Sequence, residues 1–187
     1  MLKYTGYIRK IRYYSESSHY IVALLEVEED QELLTMNGYM SNFNDYDKYA
    51  FYGDFEIHPK YGQQFKLDHY EIVLSTDEEE IIKYLSSPLF KGIGPTQAKY
   101  IVDALGENAL SLIKEDKHHL DLVKGMTVAK RELIYEVLTS NDYDQEVTQF
   151  FMGHGISLRH IGIIQETYKE KTLEILQNHP YQLVEDI

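Results

Sequence analysis

The chain has 187 residues, 43% of them hydrophobic, which allows one large domain or two small ones with a packed core. It contains no cysteine, which excludes disulfides, thiolate metal sites and a cysteine nucleophile. The net charge of −13 argues against a broad basic surface, so any contact with nucleic acid must be local and salt-sensitive. The N-terminal residues contain no apolar run long enough for a signal peptide or a membrane span, and we expect a soluble intracellular protein.

Residues 1–75 have the pattern of a small β-domain. Runs rich in β-branched and aromatic residues alternate with turn residues. The predicted strands cover residues 4–13, 20–27, 33–39, 49–57 and 65–74, separated by turns at 15–18, 28–30, 42–45 and 59–62. Five strands without room for crossover helices predict an OB-like antiparallel β-barrel, and an SH3-like barrel is the alternative.

Residues 76–187 have a helical period, so we expect an all-α domain there and an α+β fold class for the chain. Thr76 and Glu79 have the spacing of a capping box, and Pro88 would end the first helix. Further breaks between short helices are predicted at residues 92–95, 106, 125, 153–157 and 180.

The segment SPLFKGIGPTQAKYIVDALG, residues 87–106, matches a helix-hairpin-helix motif. Gly92 and Gly94 would permit a tight turn, and Ile93 would anchor that turn on the core. Pro95 would occupy the first position of the second helix, where its missing N–H costs nothing. The N–H groups that remain at this helix end form a site for a phosphate. An ordinary helical corner without a ligand is the alternative.

Two degenerate copies follow at a spacing of about thirty residues, the size of one such unit. Gly125 and Thr127 take the hairpin positions in VKGMTVAKRELI, and Gly155 and Ser157 take them in MGHGISLRHIGII. The repetition favours DNA contact, with the first copy the best candidate and a purely structural role open for the others. The candidate DNA-binding residues are Lys91, Gly92, Ile93, Gly94, Thr96, Lys99, Lys124, Gly125, Thr127 and Lys130 in the hairpins, with Arg9 and Arg12 on the first strand.

The stretches FYGDFEIHPKYGQQFKLDHYEI, IIKYLSSPLFKGIGPTQAKYIV and NHPYQLVEDI together resemble the N-terminal region of RecD-like superfamily 1 DNA helicases. The resemblance covers nearly the whole chain and is to the stand-alone kind, similar to the exodeoxyribonuclease V alpha subunit. Phe55 stands where that family typically has Trp. The resemblance implies an OB-fold, tandem helix-hairpin-helix repeats and a part in ATP-driven 5′ to 3′ unwinding, in DNA repair or recombination in the bacterial cytoplasm.

No GxxxxGK[ST] phosphate loop occurs in the sequence, so we expect no catalytic residue and no bound cofactor in this chain. The resemblance assigns ATP and Mg²⁺ to motor domains, and the abrupt end at Ile187 predicts a fragment of a longer helicase. The histidine spacings predict no metal site. The implied partners are single-stranded or forked DNA, the helicase's own motor domains or other repair proteins, and no membrane.

Two other functions stay open at this point. A RuvA-like DNA-junction binding protein would combine the same barrel and hairpins. A protein–protein interaction module on the same fold is favoured by the acidity. The 17 tyrosines leave a similar choice, because they could stack on bases or only fill strands.

Overall fold

The computed structural model describes residues 1–140 and 142–168, together with residues 171, 174 and 178. The strands are β1 (Leu2–Tyr14), β2 (Tyr20–Val27), β3 (Leu33–Tyr39), β4 (Lys48–His58) and β5 (Gly62–Val73). The α-helices are α1 (Glu78–Leu85), α2 (Pro95–Leu105), α3 (Ala109–Glu115), α4 (Val128–Thr139), α5 (Asp142–Gly153) and α6 (Leu158–Tyr168), with 3₁₀ helices at Gly106–Asn108 and Lys117–Leu122. Among the described helices, none has both the length and the apolar character needed to cross a bilayer.

The chain forms two compact units. The first contains residues 1–45 and 49–71 and the described residues from 143 onward, and the second contains residues 46–48 and 72–142. The predicted boundary at residue 75 stays a prediction. The predicted break at Pro180 and all but the first residue of the quoted NHPYQLVEDI segment lie outside the described residues.

The first unit is built around a closed five-stranded barrel, as predicted. Its strand order is β1-β2-β3-β5-β4, with β1 pairing both β2 and β4. The β1–β2, β1–β4 and β2–β3 pairs are antiparallel, whereas β3 and β5 run parallel. This parallel pair follows from the order of the strands. β3 runs in the same direction as β1, and β4 runs opposite to β1. Because β5 returns from β4 through a short turn, it runs in the direction of β3. The arrangement is that of an OB-fold.

Strand β1 has 13 residues and pairs with a different neighbour in each half of its length. It pairs with β4 through Leu2–Gly6 and with β2 from Gly6 onward. The register with β2 shifts between Ile8 and Lys10 and again between Ile11 and Tyr13, so β1 carries two irregularities of the bulge type. The alternation that buries Gly6 and Ile8 ends at these shifts, because every residue from Arg9 to Tyr13 is exposed.

Helix α6 also belongs to the first unit and packs against β3. The β1–β2 turn contributes His19, which has a left-handed backbone with a φ of 60°. A Cβ added at Gly162 of α6 would lie 2.9 Å from the His19 ring. Tyr14 fixes that ring through a hydrogen bond of 2.9 Å between its hydroxyl and Nδ1 of His19. A glycine in the middle of α6 therefore has a packing reason.

The second unit packs its helices around one apolar cluster. Its fully buried members include Ile81 and Leu85 from α1, Ala98 and Ile101 from α2, and Ile134 from α4. Helix α1 begins one residue later than the capping box predicted. Asp77 is the N-cap and accepts from the N–H of Glu80 at 2.9 Å, because an aspartate binds the third amide as well as the threonine would have done.

Candidate nucleic-acid interface

The first hairpin consists of α1, the loop at residues 86–94, and α2. Gly92 has a φ of +83°, a left-handed conformation that a side chain would strain, and Ile93 is buried beneath it. The amide of Ile93 donates to the carbonyl of Phe90 at 3.1 Å, which closes the turn. Gly94 has an extended backbone and serves as the N-cap of α2, and Pro95 is the first helical residue, as predicted.

The N-terminus of α2 is exposed and its first amides are available to a ligand. Gly94 has no side chain to cap the helix, and the N–H groups of Thr96 and Gln97 donate to no acceptor among the described residues. Lys91 precedes this end along the chain and Lys99 follows it; both are exposed and make no ion pair with a described residue. A helix N-terminus with free amides and flanking cations is suited to bind an oxyanion such as a phosphate.

The second hairpin consists of the 3₁₀ helix Lys117–Leu122, the loop at residues 123–127, and α4. Gly125 repeats the left-handed turn with a φ of +76°, and the amide of Met126 donates to the carbonyl of Val123 at 3.2 Å. This hydrogen bond is the counterpart of the one that closes the first turn. The offset of 33 residues that separates Gly92 from Gly125 also separates the fully buried Ile101 from the fully buried Ile134.

The structure brings the two hairpins of the second unit side by side. The Gln97 side chain on α2 donates through Nε2 to the carbonyl of Lys124 at 3.0 Å. The Lys124 ammonium lies 5.3 Å from the centre of the Tyr100 ring on α2, within the range of a cation–π contact. The predicted residues of the first and second hairpins therefore form one surface. Gln97, which joins them, was not among the sequence predictions because its role depends on this tertiary contact.

The second hairpin offers fewer free groups than the first. The hydroxyl of Thr127 accepts from the amide of Lys130 at 3.2 Å, so α4 is capped by its own side chain. Arg131 donates to Asp121 at 2.8 Å and to Glu132 at 3.1 Å. These hydrogen bonds, led by the one to Asp121, raise the pKa of Arg131 and neutralise its charge locally. In the second hairpin, Lys124 and Lys130 make no ion pair with a described acidic residue.

The third hairpin consists of α5, the loop at residues 154–157, and α6. Gly155 has a φ of +78°, so the predicted third copy has the same left-handed turn as the other two. Its helix begins after Ser157, whose hydroxyl lies 2.9 Å from Nδ1 of His160. The position held by lysine in the first two copies is occupied here by His154, whose Nδ1 lies 2.8 Å from the carbonyl of Phe150.

The two arginines predicted on the barrel have different environments. Arg9 donates to Glu26 on β2 at 2.6 Å, and its guanidinium lies 4.7 Å from the centre of the Tyr7 ring. The hydrogen bond to Glu26 raises the pKa of Arg9 and neutralises its charge locally. Arg12 is exposed and makes no ion pair with a described residue. The pairing of Arg9 was not predictable from residues 17 positions apart whose strands are related by a register shift.

The described residues include no group of three or more histidine, aspartate or glutamate side chains placed to hold a metal ion. The first two hairpins present backbone amides and lysines close together, which are groups suited to bind an anion.

Comparison with known families gives two matches. Residues 1–75 match the model of the OB-fold domain of the ATP-dependent DNA helicase YrrC. Residues 140–187 match the model of the HHH domain of ATP-dependent RecD2 DNA helicases, and this stretch includes the third hairpin. The barrel topology and the repeated hairpin turns agree with these descriptions. The two matches together are consistent with the N-terminal OB-fold and helix-hairpin-helix region of a RecD-like DNA helicase.

Proposed function

We propose that this chain is the accessory, DNA-positioning region of an ATP-dependent 5′ to 3′ RecD-like DNA helicase. The proposal is carried by one observation: α2 begins with free backbone amides at the tip of a hairpin flanked by Lys91 and Lys99. In this role the chain binds the sugar–phosphate backbone of DNA and leaves ATP and Mg²⁺ to motor domains. It acts in DNA repair or recombination in the bacterial cytoplasm, with those motor domains or other repair proteins as partners.

The first hairpin is the main contact in this proposal. A phosphate at the α2 N-terminus accepts hydrogen bonds from the amides of Thr96 and Gln97, while Lys91 and Lys99 supply positive charge. The second hairpin adds Lys124 and Lys130 beside it, because Gln97 joins the two loops. Contacts to the backbone position a protein on DNA without reading its sequence, which suits a region that holds DNA for a motor.

The small number of free lysines sets the expected strength of this contact. The chain has 31 acidic and 18 basic residues, so general attraction to DNA is absent and repulsion acts at long range. Binding therefore depends on the few groups at the hairpin pair and falls steeply as salt rises.

The test is fluorescence anisotropy of the whole chain with labelled single-stranded, duplex and forked DNA at low salt. The informative variant is Gly94→Leu. Nothing lies within 4 Å of a Cβ at Gly94 and its backbone is extended, so the fold tolerates the side chain, which then covers the free amides. Loss of these charge-assisted hydrogen bonds is expected to weaken binding about tenfold or more.

The matched control is Ala104→Leu, which adds similar bulk at an exposed position on the same helix, roughly 15 Å further along its axis. This variant should bind as the unaltered chain does. If folded Gly94→Leu binds as tightly as the control, the first hairpin is not the contact. If the unaltered chain binds no DNA even at low salt, the region serves as a protein-docking surface instead.

A further inference from the structure

One end of the barrel, where β1 begins and β4 ends, leaves apolar side chains uncovered. Leu2, Phe55 and Ile57 are 44%, 36% and 85% exposed. Leu2 pairs with Gly53, two residues before Phe55, so the three exposed residues lie on adjacent strands of the first unit. Single exposed apolar residues are ordinary on a protein surface, but a group of neighbours marks a site for a partner.

Three aromatic rings close the barrel core beneath these side chains. The fully buried Phe65 has its ring centre 5.3 Å from that of Tyr4 and 5.8 Å from that of Phe55. The ring centres of Tyr4 and Phe55 are 6.1 Å apart, and all three pairs meet edge to face, which is a favourable arrangement. These contacts fix the position of Phe55 at the surface. Leu2 follows Tyr4 on the same face of β1, because side chains two residues apart on a strand share a face.

Strand β4 also has an open edge at this end. Its pairing with β1 runs from Tyr49 to Gly53, and residues 54–58 continue as strand with no described partner on that side. An uncovered edge presents backbone donors and acceptors, to which an extended segment can add as a further strand. Alternate side chains of such a segment would lie against Phe55 and Ile57.

The apolar end has an acidic rim, formed by Glu29, Asp30 and Asp54. Glu29 and Asp30 are exposed in the β2–β3 turn. The amide of Glu28 donates to the carbonyl of Thr5 at 2.8 Å, which holds this turn beside the first residues of β1. Asp54 is exposed on the β4 side, and its carboxylate lies 3.5 Å from the ammonium of the N-terminus. The rim is therefore suited to cationic groups.

This charge distribution disfavours two other occupants. Lys3 does not offset the rim, because it lies on the opposite face of β1, where its ammonium is 5.7 Å from the centre of the Tyr52 ring. The carboxylates repel the phosphates of DNA. A second copy of the chain would bring two acidic rims together, and like charges facing each other across an interface oppose association.

We propose that this end of the barrel binds a basic, extended segment of a partner protein, which adds to the free edge of β4. Its apolar side chains pack on Phe55 and Ile57, and its lysine or arginine side chains bind the acidic rim. The surface goes beyond the function proposed above, because it uses neither the hairpins nor DNA.

The test measures fluorescence anisotropy of labelled peptides of about eight residues, within the length of a typical strand, with the whole chain at low salt. The probe alternates valine and lysine. One comparison peptide alternates valine and glutamate, and a second alternates serine and lysine, which measures the general attraction of a cation to an acidic chain. The valine–lysine peptide should bind most tightly, and the valine–glutamate peptide should not bind.

The apolar part of the site is tested by Ile57→Ser. Ile57 is 85% exposed, so the fold does not depend on its side chain, whereas a bound peptide would bury it. Affinity for the valine–lysine peptide should fall about tenfold. The matched control is Leu122→Ser, which replaces an apolar residue that is 78% exposed in the second unit and should leave the affinity unchanged.

The acidic rim is tested by Asp54→Asn combined with Glu29→Gln. This variant should weaken the valine–lysine peptide about tenfold at low salt, and the difference should shrink as salt rises. Asp103→Asn combined with Glu107→Gln removes two exposed carboxylates of the second unit and should have a much smaller effect. Equal losses in the two variants would show attraction to the whole chain instead of a site.

Strand addition is tested by two forms of the valine–lysine peptide, methylated on the backbone nitrogens of either its odd or its even residues. Amides of alternate residues point to opposite edges of a strand, so one form should lose about tenfold in affinity and the other should bind almost as before. Equal binding of both forms would contradict addition to β4.

The outcomes are independent of the hairpins. Gly94→Leu, which covers the free amides of α2, should leave affinity for the valine–lysine peptide unchanged. A valine–lysine peptide that does not bind at low salt, or that binds no better than the serine–lysine peptide, would overturn the proposal. So would equal affinities of Ile57→Ser and Leu122→Ser, and none of these results would bear on DNA binding by the first hairpin.

Discussion

At the scale of single residues, glycines in this chain serve three separate purposes. Gly6 lies where β1 pairs with both β2 and β4, and an added Cβ there would clash with the backbone carbonyl oxygen of Glu26. Gly92 provides a left-handed turn with a φ of +83° and open space around it. Gly94 has neither a steric clash at its Cβ position nor a positive φ, so its lack of a side chain serves to leave the helix end accessible. Of these three, only Gly94 has no structural requirement for glycine.

This distinction leads to a stability prediction for two alanine substitutions. Gly6→Ala should destabilise the barrel by about 2–3 kcal/mol, because the clash is with backbone that cannot rotate away. Gly94→Ala should change the free energy of unfolding by less than about 0.5 kcal/mol. Urea unfolding followed by circular dichroism measures both. Equal losses in the two variants would refute the assignment of these roles.

Residue-level predictions from sequence succeeded where a position has one reasonable role and failed where two residues compete. Pro95 starts α2 because its fixed φ suits the first helical position, and no neighbouring residue has the same preference. Thr76 and Asp77 are both good N-caps, and only the structure selects Asp77.

At the scale of elements, the hairpins share a turn and differ in how the following helix begins. All three turns have a glycine with a φ between +76° and +83°. The N-cap is then Gly94 in the first, without a side-chain hydrogen bond, and Thr127 in the second, with one. The difference leaves the first hairpin better able to accept a ligand, although the backbone fold is repeated.

Helix α1, which opens the first hairpin, is held by a carboxylate with two partners. The hydroxyl of Ser75 and the ammonium of Lys48 donate to Glu80 at 2.5 Å and 3.0 Å. Partial burial alone would raise the pKa of Glu80, but the hydrogen bonds from Ser75 and Lys48 outweigh it and hold that pKa below its ordinary value. The carboxylate is therefore more stable in the folded chain than in the unfolded one.

A pH dependence follows from this lowered pKa. The contribution of Glu80 is fully present above the pKa of an unfolded glutamate and is lost as pH falls through the lower folded value. Glu80→Gln should cost on the order of 1 kcal/mol at neutral pH, and this difference from the unaltered chain should shrink on acidification.

Urea unfolding of both chains from neutral pH to about pH 3 measures the difference, and spans the range in which carboxylates titrate. Glu79→Gln is the control, since Glu79 is the exposed neighbour and makes no hydrogen bond to a described residue. A Glu80→Gln difference that stays constant with pH would show that the carboxylate is not held in its charged form.

The strands illustrate how far elements could be predicted. The bounds of β2 and β3 were predicted without error, because alternation and turn residues mark both ends of each run. The second hairpin was predicted with two helices, but its first element is the 3₁₀ helix Lys117–Leu122. A six-residue segment with two adjacent histidines has too few periodic positions to distinguish these geometries.

At the scale of the whole molecule, the features that sequence could not predict depend on residues brought together by the fold. Tyr13 and Tyr61 are 48 positions apart and meet at one groove only because the barrel closes. His19 and Gly162 are even further apart in sequence, and the contact between them places α6 against the barrel. Composition left open whether the tyrosines stack on bases or only fill strands. Tyr13 lies in β1 and Tyr61 in the β4–β5 turn, and both are mostly exposed.

The acidity of the whole chain makes salt dependence the most direct test of backbone binding. The logarithm of the binding constant should fall linearly with the logarithm of salt concentration, with a slope that counts the phosphates neutralised. Lys91→Gln combined with Lys99→Gln should reduce the magnitude of that slope by about 1 for each phosphate that the variant no longer neutralises. The measurement is a salt titration of anisotropy with labelled duplex and forked DNA.

The matched control removes two lysines of the same unit that are already paired. Lys114 binds Asp142 at 2.7 Å and Lys117 binds Glu132 at 3.0 Å, so replacing both by glutamine changes net charge equally but removes no free cation. We predict a shallower slope for the Lys91 and Lys99 variant and an unchanged slope for this control. The same slope in all three chains, or an equal reduction in both variants, would contradict the claim that the first hairpin binds the DNA backbone.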